Sequence, residues 1–128
     1  MQGTKFSPLI YADSESNADQ LYFSKVFVPD PFLSFGIGKK KYAIINALEY
    51  TRVKKESVFD EVLSFEEWKE RTEKKFRKIK IGLSDIIRLV ADEYKIRSFL
   101  IATDFPAGLA LELIKKKIKI KISEGSLF

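Results

Sequence analysis

The chain has 128 residues, 45% of them hydrophobic and 32% charged, which is one domain's worth of material able to bury roughly two-thirds of its unfolded surface. It holds no cysteine and no histidine, excluding disulfides, Cys-ligated zinc and thiol chemistry, and removing both the commonest metal ligand and the usual general base near neutral pH. The net charge of +5 sits in the second half: residues 1–64 carry eight basic and eight acidic side chains, residues 65–128 fifteen and ten.

Those lysines are interleaved with glutamates or isoleucines at regular periods, as on solvated faces, so no nucleic-acid partner is expected. No apolar run approaches the roughly 20 residues needed to span a bilayer. Met1-Gln2-Gly3-Thr4 does not open a signal-peptide pattern. The expectation is a soluble cytoplasmic domain without a membrane partner.

In chain order, Ser7–Ala12 reads as a strand that stops at the capping cluster Asp13-Ser14-Glu15-Ser16. Ser16, three residues before Asp19, is expected to cap a helix through Ser24, with Ala18, Leu21 and Tyr22 at helical spacing. Val28-Pro29-Asp30-Pro31 cannot be helix interior, because two prolines remove backbone donors and push their predecessors to extended geometry. Leu33, Phe35 and Ile37, then Tyr42 to Asn46, read as an antiparallel hairpin across Gly36-Ile37-Gly38-Lys39-Lys40, with the glycines in the turn region. Gly36-Ile37-Gly38-Lys39 has neither the spacing nor the following helix of a phosphate-binding loop.

Ala47 to Lys55 reads as a short polar helix and Val58 to Leu63 as a brief strand. Ser64-Phe65-Glu66-Glu67 is a capping box with Leu63 and Trp68 placed as a hydrophobic staple, and Phe65, Trp68, Thr72, Phe76 and Ile79 share one face of the helix that follows. Ile79–Gly82 is compatible with a short strand before a helix from Ser84 to Tyr94, whose inner stripe is Ile86, Ile87, Val90 and Tyr94. Ser98–Ala102 reads as a strand covered on both faces. Pro106 occupies the first position of a helix carrying Leu109, Leu113 and Ile114. Lys117 to Ile122 alternates strictly, lysines to water and isoleucines to the core, as suits a protected edge strand. The alternation of strands and helices, with one hairpin, predicts an α/β fold with a mixed sheet.

Two carboxylates stand out, Asp13 and Asp104, each just past a predicted strand, where ligand-binding residues of open α/β sheets gather. Adjacent, they could hold a divalent cation as in metal-dependent nucleases, with Glu49 as a third member. The simpler reading makes both of them helix-start acids favoured by free amides and the macrodipole. Tyr22, Phe23, Phe27 and Phe32 bracket the proline loop. A stiff aromatic loop can shape a pocket or partner surface at low ordering cost, and the same rings could equally be core.

The ordered series Ile10-Tyr11-Ala12 with Ser14 to Asp19, Phe27-Val28-Pro29-Asp30-Pro31-Phe32, Gly38 to Tyr42, Leu48-Glu49-Tyr50, Asp104-Phe105-Pro106 with Leu109-Ala110, and Glu124 to Phe128 resembles the amino-terminal domain of Xaa-Pro peptidases, the creatinase/prolidase family. The resemblance covers nearly the whole chain, residues 1–128, as a single domain, and departs at Lys117, where the family pattern has glycine. It implies a ribonuclease-H-like mixed sheet flanked by helices. It also implies a parent hydrolase, a proline-specific metallo-aminopeptidase or dipeptidase, whose carboxy-terminal domain binds two divalent metals, Mn, Co or Zn, through two Asp, one His and two Glu. The chain stops at Leu127-Phe128, where that domain would be entered, so this chain alone, an excised or natural fragment, is expected to be inactive, with no catalytic residue, metal ligand or cofactor of its own. The implied partners are its own catalytic domain, a second copy in a homodimer and the peptide substrate, with Phe27, Val28, Pro29, Asp30, Pro31 and Phe32 as the wall over the active-site mouth or a dimer loop. The alternatives are a stand-alone peptide- or protein-binding module of the same fold, and a ribonuclease-H-like nuclease using Asp13 and Asp104.

Overall fold

In the computed structural model, which describes residues 6–128, six strands are interspersed with five helices along the chain. Met1-Gln2-Gly3-Thr4 lies outside the described residues. The strands are β1 (Ser7–Ala12), β2 (Phe32–Ile37), β3 (Lys40–Ile45), β4 (Glu61–Ser64), β5 (Ser98–Ile101) and β6 (Lys119–Ile122); the helices are α1 (Ala18–Ser24), α2 (Ala47–Glu56), α3 (Phe65–Phe76), α4 (Leu83–Tyr94) and α5 (Ala107–Lys115). One mixed sheet runs β4-β3-β2-β1-β5-β6. The pairs β1–β2 and β2–β3 are antiparallel, while β3–β4, β1–β5 and β5–β6 are parallel. This is an α/β domain built on a mixed sheet flanked by helices, as expected.

Period-two alternation sorts the strand residues into two cores. Leu9, Phe35, Tyr42, Phe99 and Ile101 pack with Trp68 of α3, Ile86, Ile87 and Val90 of α4 and Leu113 of α5. On the other face Phe32, Ala43, Ile45 and Val62 meet Val53 of α2 and two residues of the 25–31 loop, Val26 and Val28. Burying both faces explains why β2 is covered along almost its whole length, Ser34 included. The β2–β3 hairpin turns on Gly38, whose φ of +58° at the first turn position suits a residue without a Cβ, while Gly36, expected in the turn region, lies within β2 opposite Lys41.

Several local expectations shift. Asn17, not Ser16, caps α1, its Oδ1 accepting the Gln20 amide at 2.8 Å; Ser16 is turned back onto Asp13. The buried side of α1 is therefore Gln20, Phe23 and Ser24, leaving Tyr22 exposed. Residues 58–60 do not join β4, because the Val58 amide donates to the Ser24 carbonyl instead of a sheet neighbour. Ser64 caps α3 by accepting the Glu67 amide at 3.2 Å. Arg77, in the left-handed region at φ +52°, ends that helix, so Ile79 leaves the apolar face and stands 97% exposed, and 79–82 is loop, not strand.

Pro106 is the N-cap of α5, one position before its first helical residue, and Ile114 is exposed while Leu113 points inward. β5 is fully buried on one face only, at Phe99 and Ile101. At the end of β6 Ile122 remains exposed.

Candidate functional site at one end of the sheet

The parallel strands β1, β3, β4, β5 and β6 all finish at one end of the sheet, where β2 begins: Ala12 lies opposite Phe32, Ile45 beside Ser64, and Ile101 beside Ile122. The loop 25–31 crosses this end, and its geometry follows from three polar anchors. Ser14 Oγ donates to the Val26 carbonyl at 2.6 Å and accepts the Val28 amide at 2.6 Å, and the Ser14 amide donates to the Val28 carbonyl at 3.1 Å. Gln20, fully buried, donates from Nε2 to the Ala12 and Phe32 carbonyls, each at 3.0 Å, and accepts the Ser34 hydroxyl at 2.5 Å. Arg52 of α2 donates to the Phe27 carbonyl at 2.8 Å while paired with Glu49 at 2.8 Å. The Glu49 hydrogen bond raises the Arg52 guanidinium above its ordinary value, so it stays a cation.

The backbone so held splits the predicted loop residues by side. Val28 and Phe32 are buried in the second core, whereas Phe27 is 59% exposed and Pro29, Asp30 and Pro31 face solvent. The bracketing aromatics divide likewise: Phe23 and Phe32 pack in the core, where each meets Phe59 edge-on, while Tyr22 stands out with Phe27. The core reading of these rings therefore holds for Phe23 and Phe32, while Tyr22 and Phe27 stand exposed. Beside Pro31 and Phe32 opens a cleft of about 290 Å³, walled by Tyr11, Ile44, Phe65 and Leu83, with Asn46 as its polar side chain. It is just below the ordinary size of a small-molecule site and suits an apolar side chain better than a whole ligand.

Asp13 and Asp104 lie at the same end but do not converge on a common point. Both Asp13 oxygens accept from Ser16, its amide first among the causes that hold the carboxyl below its ordinary value. Asp104 Oδ2 accepts from Asn17 Nδ2 at 3.1 Å. Glu49 is occupied by Arg52. Among the described residues no three His, Cys, Asp or Glu side chains group so as to hold a metal ion. The crevice outside the ends of β1 and β5, the place where open α/β sheets bind ligands, is closed down to about 10 Å³ with Leu127 among its walls. Asp19 fixes that tail segment, accepting the Ser126 hydroxyl at 2.8 Å, and Phe128 stacks on Phe23 with centroids 5.0 Å apart. Sequence reasoning missed Ser14, Gln20 and Arg52, since a serine in a capping cluster and a glutamine or arginine on a helix give no sign of a distant backbone partner.

No protein-family model and no curated protein matches the sequence. Solved structures do. The chain is similar to the X-Pro aminopeptidase of Thermotoga maritima (TM-score 0.65, 14% identity, 91% of this chain and 30% of that one). It is similar to the prolidase of Pyrococcus horikoshii (TM-score 0.62, 19% identity, 93% and 28%) and to the Xaa-Pro dipeptidase of Bacillus anthracis (TM-score 0.65, 11% identity, 94% and 29%). The chain thus has the fold of a part of these structures and spans about 30% of their length.

Proposed function

We propose that this chain is the non-catalytic amino-terminal domain of a metal-dependent Xaa-Pro peptidase, and that the exposed side of the 25–31 loop forms a wall over the mouth of an active site built elsewhere. One observation carries the reading: 91–94% of the chain superposes on about 30% of peptidases that act at proline. Asp13, Glu49 and Asp104 are each engaged by a different neighbour, and in this reading the two metals of such enzymes are held by the catalytic domain. The loop suits a wall because Ser14, Gln20 and Arg52 hold it before any substrate arrives, so binding pays little ordering entropy. Homodimer contacts, and a partner's catalytic mouth facing the loop, belong to the same proposal.

The test replaces the matching 28% of the Pyrococcus horikoshii prolidase by this chain. Xaa-Pro dipeptide cleavage is expected to survive, and Phe27→Ala with Asp30→Ala is expected to raise KM several-fold with kcat unchanged. A folded, metal-loaded chimera with no Xaa-Pro activity would reject the family reading; unchanged KM in the double variant would reject the loop's role alone.

A further inference from the structure

β6 is the last strand of the sheet, pairing with β5 on one side and, among the described residues, with no strand on the other. The Ser123 amide donates to the Ile101 carbonyl at 2.8 Å. Period-two alternation then turns the Lys119 and Lys121 backbone toward β5 and the Ile120 and Ile122 backbone outward. The outward amides and carbonyls make no hydrogen bond to the described residues. The side chains sort the opposite way about the strand. Lys119 and Lys121 share one face, exposed and without an ion pair among the described residues, Lys121 Nζ standing 5.3 Å from the centroid of the Phe6 ring. Ile120 and Ile122 share the other, Ile120 packed against the core that includes Leu113 of α5 and Ile122 57% exposed. The edge therefore offers backbone pairing, a row of cations and an apolar row at fixed spacing.

We infer that β6 accepts an extended, acidic segment of another protein as a seventh strand, with carboxylates at alternate positions over Lys119 and Lys121 and apolar side chains on the Ile122 side. Strand addition of this kind draws affinity from main-chain hydrogen bonds and specificity from alternate side chains. Charge complementarity selects the occupant. In a two-fold antiparallel pairing of β6 with a second copy, outward residue must face outward residue, which sets lysine against lysine, and like charges directly opposite are destabilising. The lysines that guard this edge against its own kind are thus the feature an acidic strand would read. A nucleic acid is disfavoured because the free edge offers main-chain donors and acceptors at strand spacing, which an extended peptide can pair and a nucleic acid cannot. The inference is independent of the peptidase reading.

The experiment titrates the ¹⁵N-labelled chain with a capped hexapeptide of alternating glutamate and valine. Expected are shift changes and slowed amide exchange at Ile120 and Ile122, weakening with salt. Ile122→Pro removes an outward amide that bonds nothing within the domain, so the fold survives and binding is lost. Lys119→Glu with Lys121→Glu, both exposed, is expected to weaken binding at least tenfold. Absence of binding, binding retained by folded Ile122→Pro, equal affinity for a lysine–valine peptide, tighter binding of a single-stranded oligonucleotide, or dimerisation through β6 without peptide would each overturn the inference.

Discussion

Ser14 and Val28 are bound to each other twice: the Val28 amide donates to Ser14 Oγ at 2.6 Å, and the Ser14 amide to the Val28 carbonyl at 3.1 Å. Both residues are buried, and the same hydroxyl donates to the Val26 carbonyl. Ser14→Ala leaves a buried amide and carbonyl without their partner at a cost of about 1–3 kcal/mol. Urea unfolding should report that loss. Hydrogen exchange should show the Val28 amide losing protection beyond the global change, because the loop comes off the end of β1 while the sheet stays paired.

Gln20 performs the same task from α1, tying the end of β1 to the start of β2 through the Ala12 and Phe32 carbonyls. Gln20→Leu keeps the volume and strands two carbonyls and the Ser34 hydroxyl, for an expected loss of about 3 kcal/mol. Adding Ser34→Ala should cost less than the sum of the two single changes, since it removes a donor that has already lost its acceptor. An additive double-mutant cycle would show that the two side chains do not act as one network.

These anchors mark the limit of what was legible in the sequence. Period and capping chemistry are local, so β1, the β2–β3 hairpin and the Ser64 cap could be read from residues within a turn of one another, whereas the strand order could not. The resemblance supplied the fold as a whole, and 25–31 was legible as a stiff loop because proline acts on its own backbone. Which of its side chains face the core was not, since that depends on Ser14 and Arg52, 14 residues upstream of Val28 and 25 downstream of Phe27. Ile79 misled for a related reason: helical spacing continued through it, while Arg77 had already taken the left-handed conformation that ends α3.

Lys117, where the sequence departs from the pattern it resembles, sits at φ +64°. Left-handed backbone costs a residue with a Cβ about 1–2 kcal/mol. Part is returned because glycine in the unfolded chain has more freedom to lose, about 0.5–1 kcal/mol. Lys117→Gly is therefore expected to raise stability by about 0.5–1 kcal/mol. Lys115→Gly, in the last turn of α5, should lower it by about 1 kcal/mol. Thermal melts of the pair check the sign, and a loss of stability in Lys117→Gly would mean that the lysine side chain contributes more than its backbone costs.

Asp85 joins the 78–82 loop to α4 and α5: it accepts the Gly82 amide at 2.9 Å and lies 3.3 Å from Lys78 and 3.5 Å from Lys116. Burial would raise its carboxyl, but the Gly82 amide and the two lysines outweigh that and hold it below the ordinary value. A carboxyl whose folded value is depressed adds stability that is present above its unfolded value, about 3.9, and is lost as pH falls through the folded value. Melting temperature should therefore decline as pH drops below about 4. In Asp85→Asn it should start lower at neutral pH and decline less steeply; parallel acid limbs in the two proteins would assign the loss to other carboxyls.

The carboxylates at the strand ends make a prediction about metals. Asp13 is turned onto Ser16 and Asp104 onto Asn17, and a bound ion would have to break one of these local pairs before gaining a second protein ligand. Anything that binds the folded state alone raises its stability in proportion to the logarithm of ligand over dissociation constant, about 2.7 kcal/mol at a hundredfold excess. Manganese or cobalt at millimolar concentration should leave the melting temperature of this chain unmoved, and Asp104→Asn should behave the same way. A saturable rise with either ion, abolished by Asp104→Asn, would mean that the two aspartates do come together, and would turn the reading of this end of the sheet from a wall to a centre of chemistry.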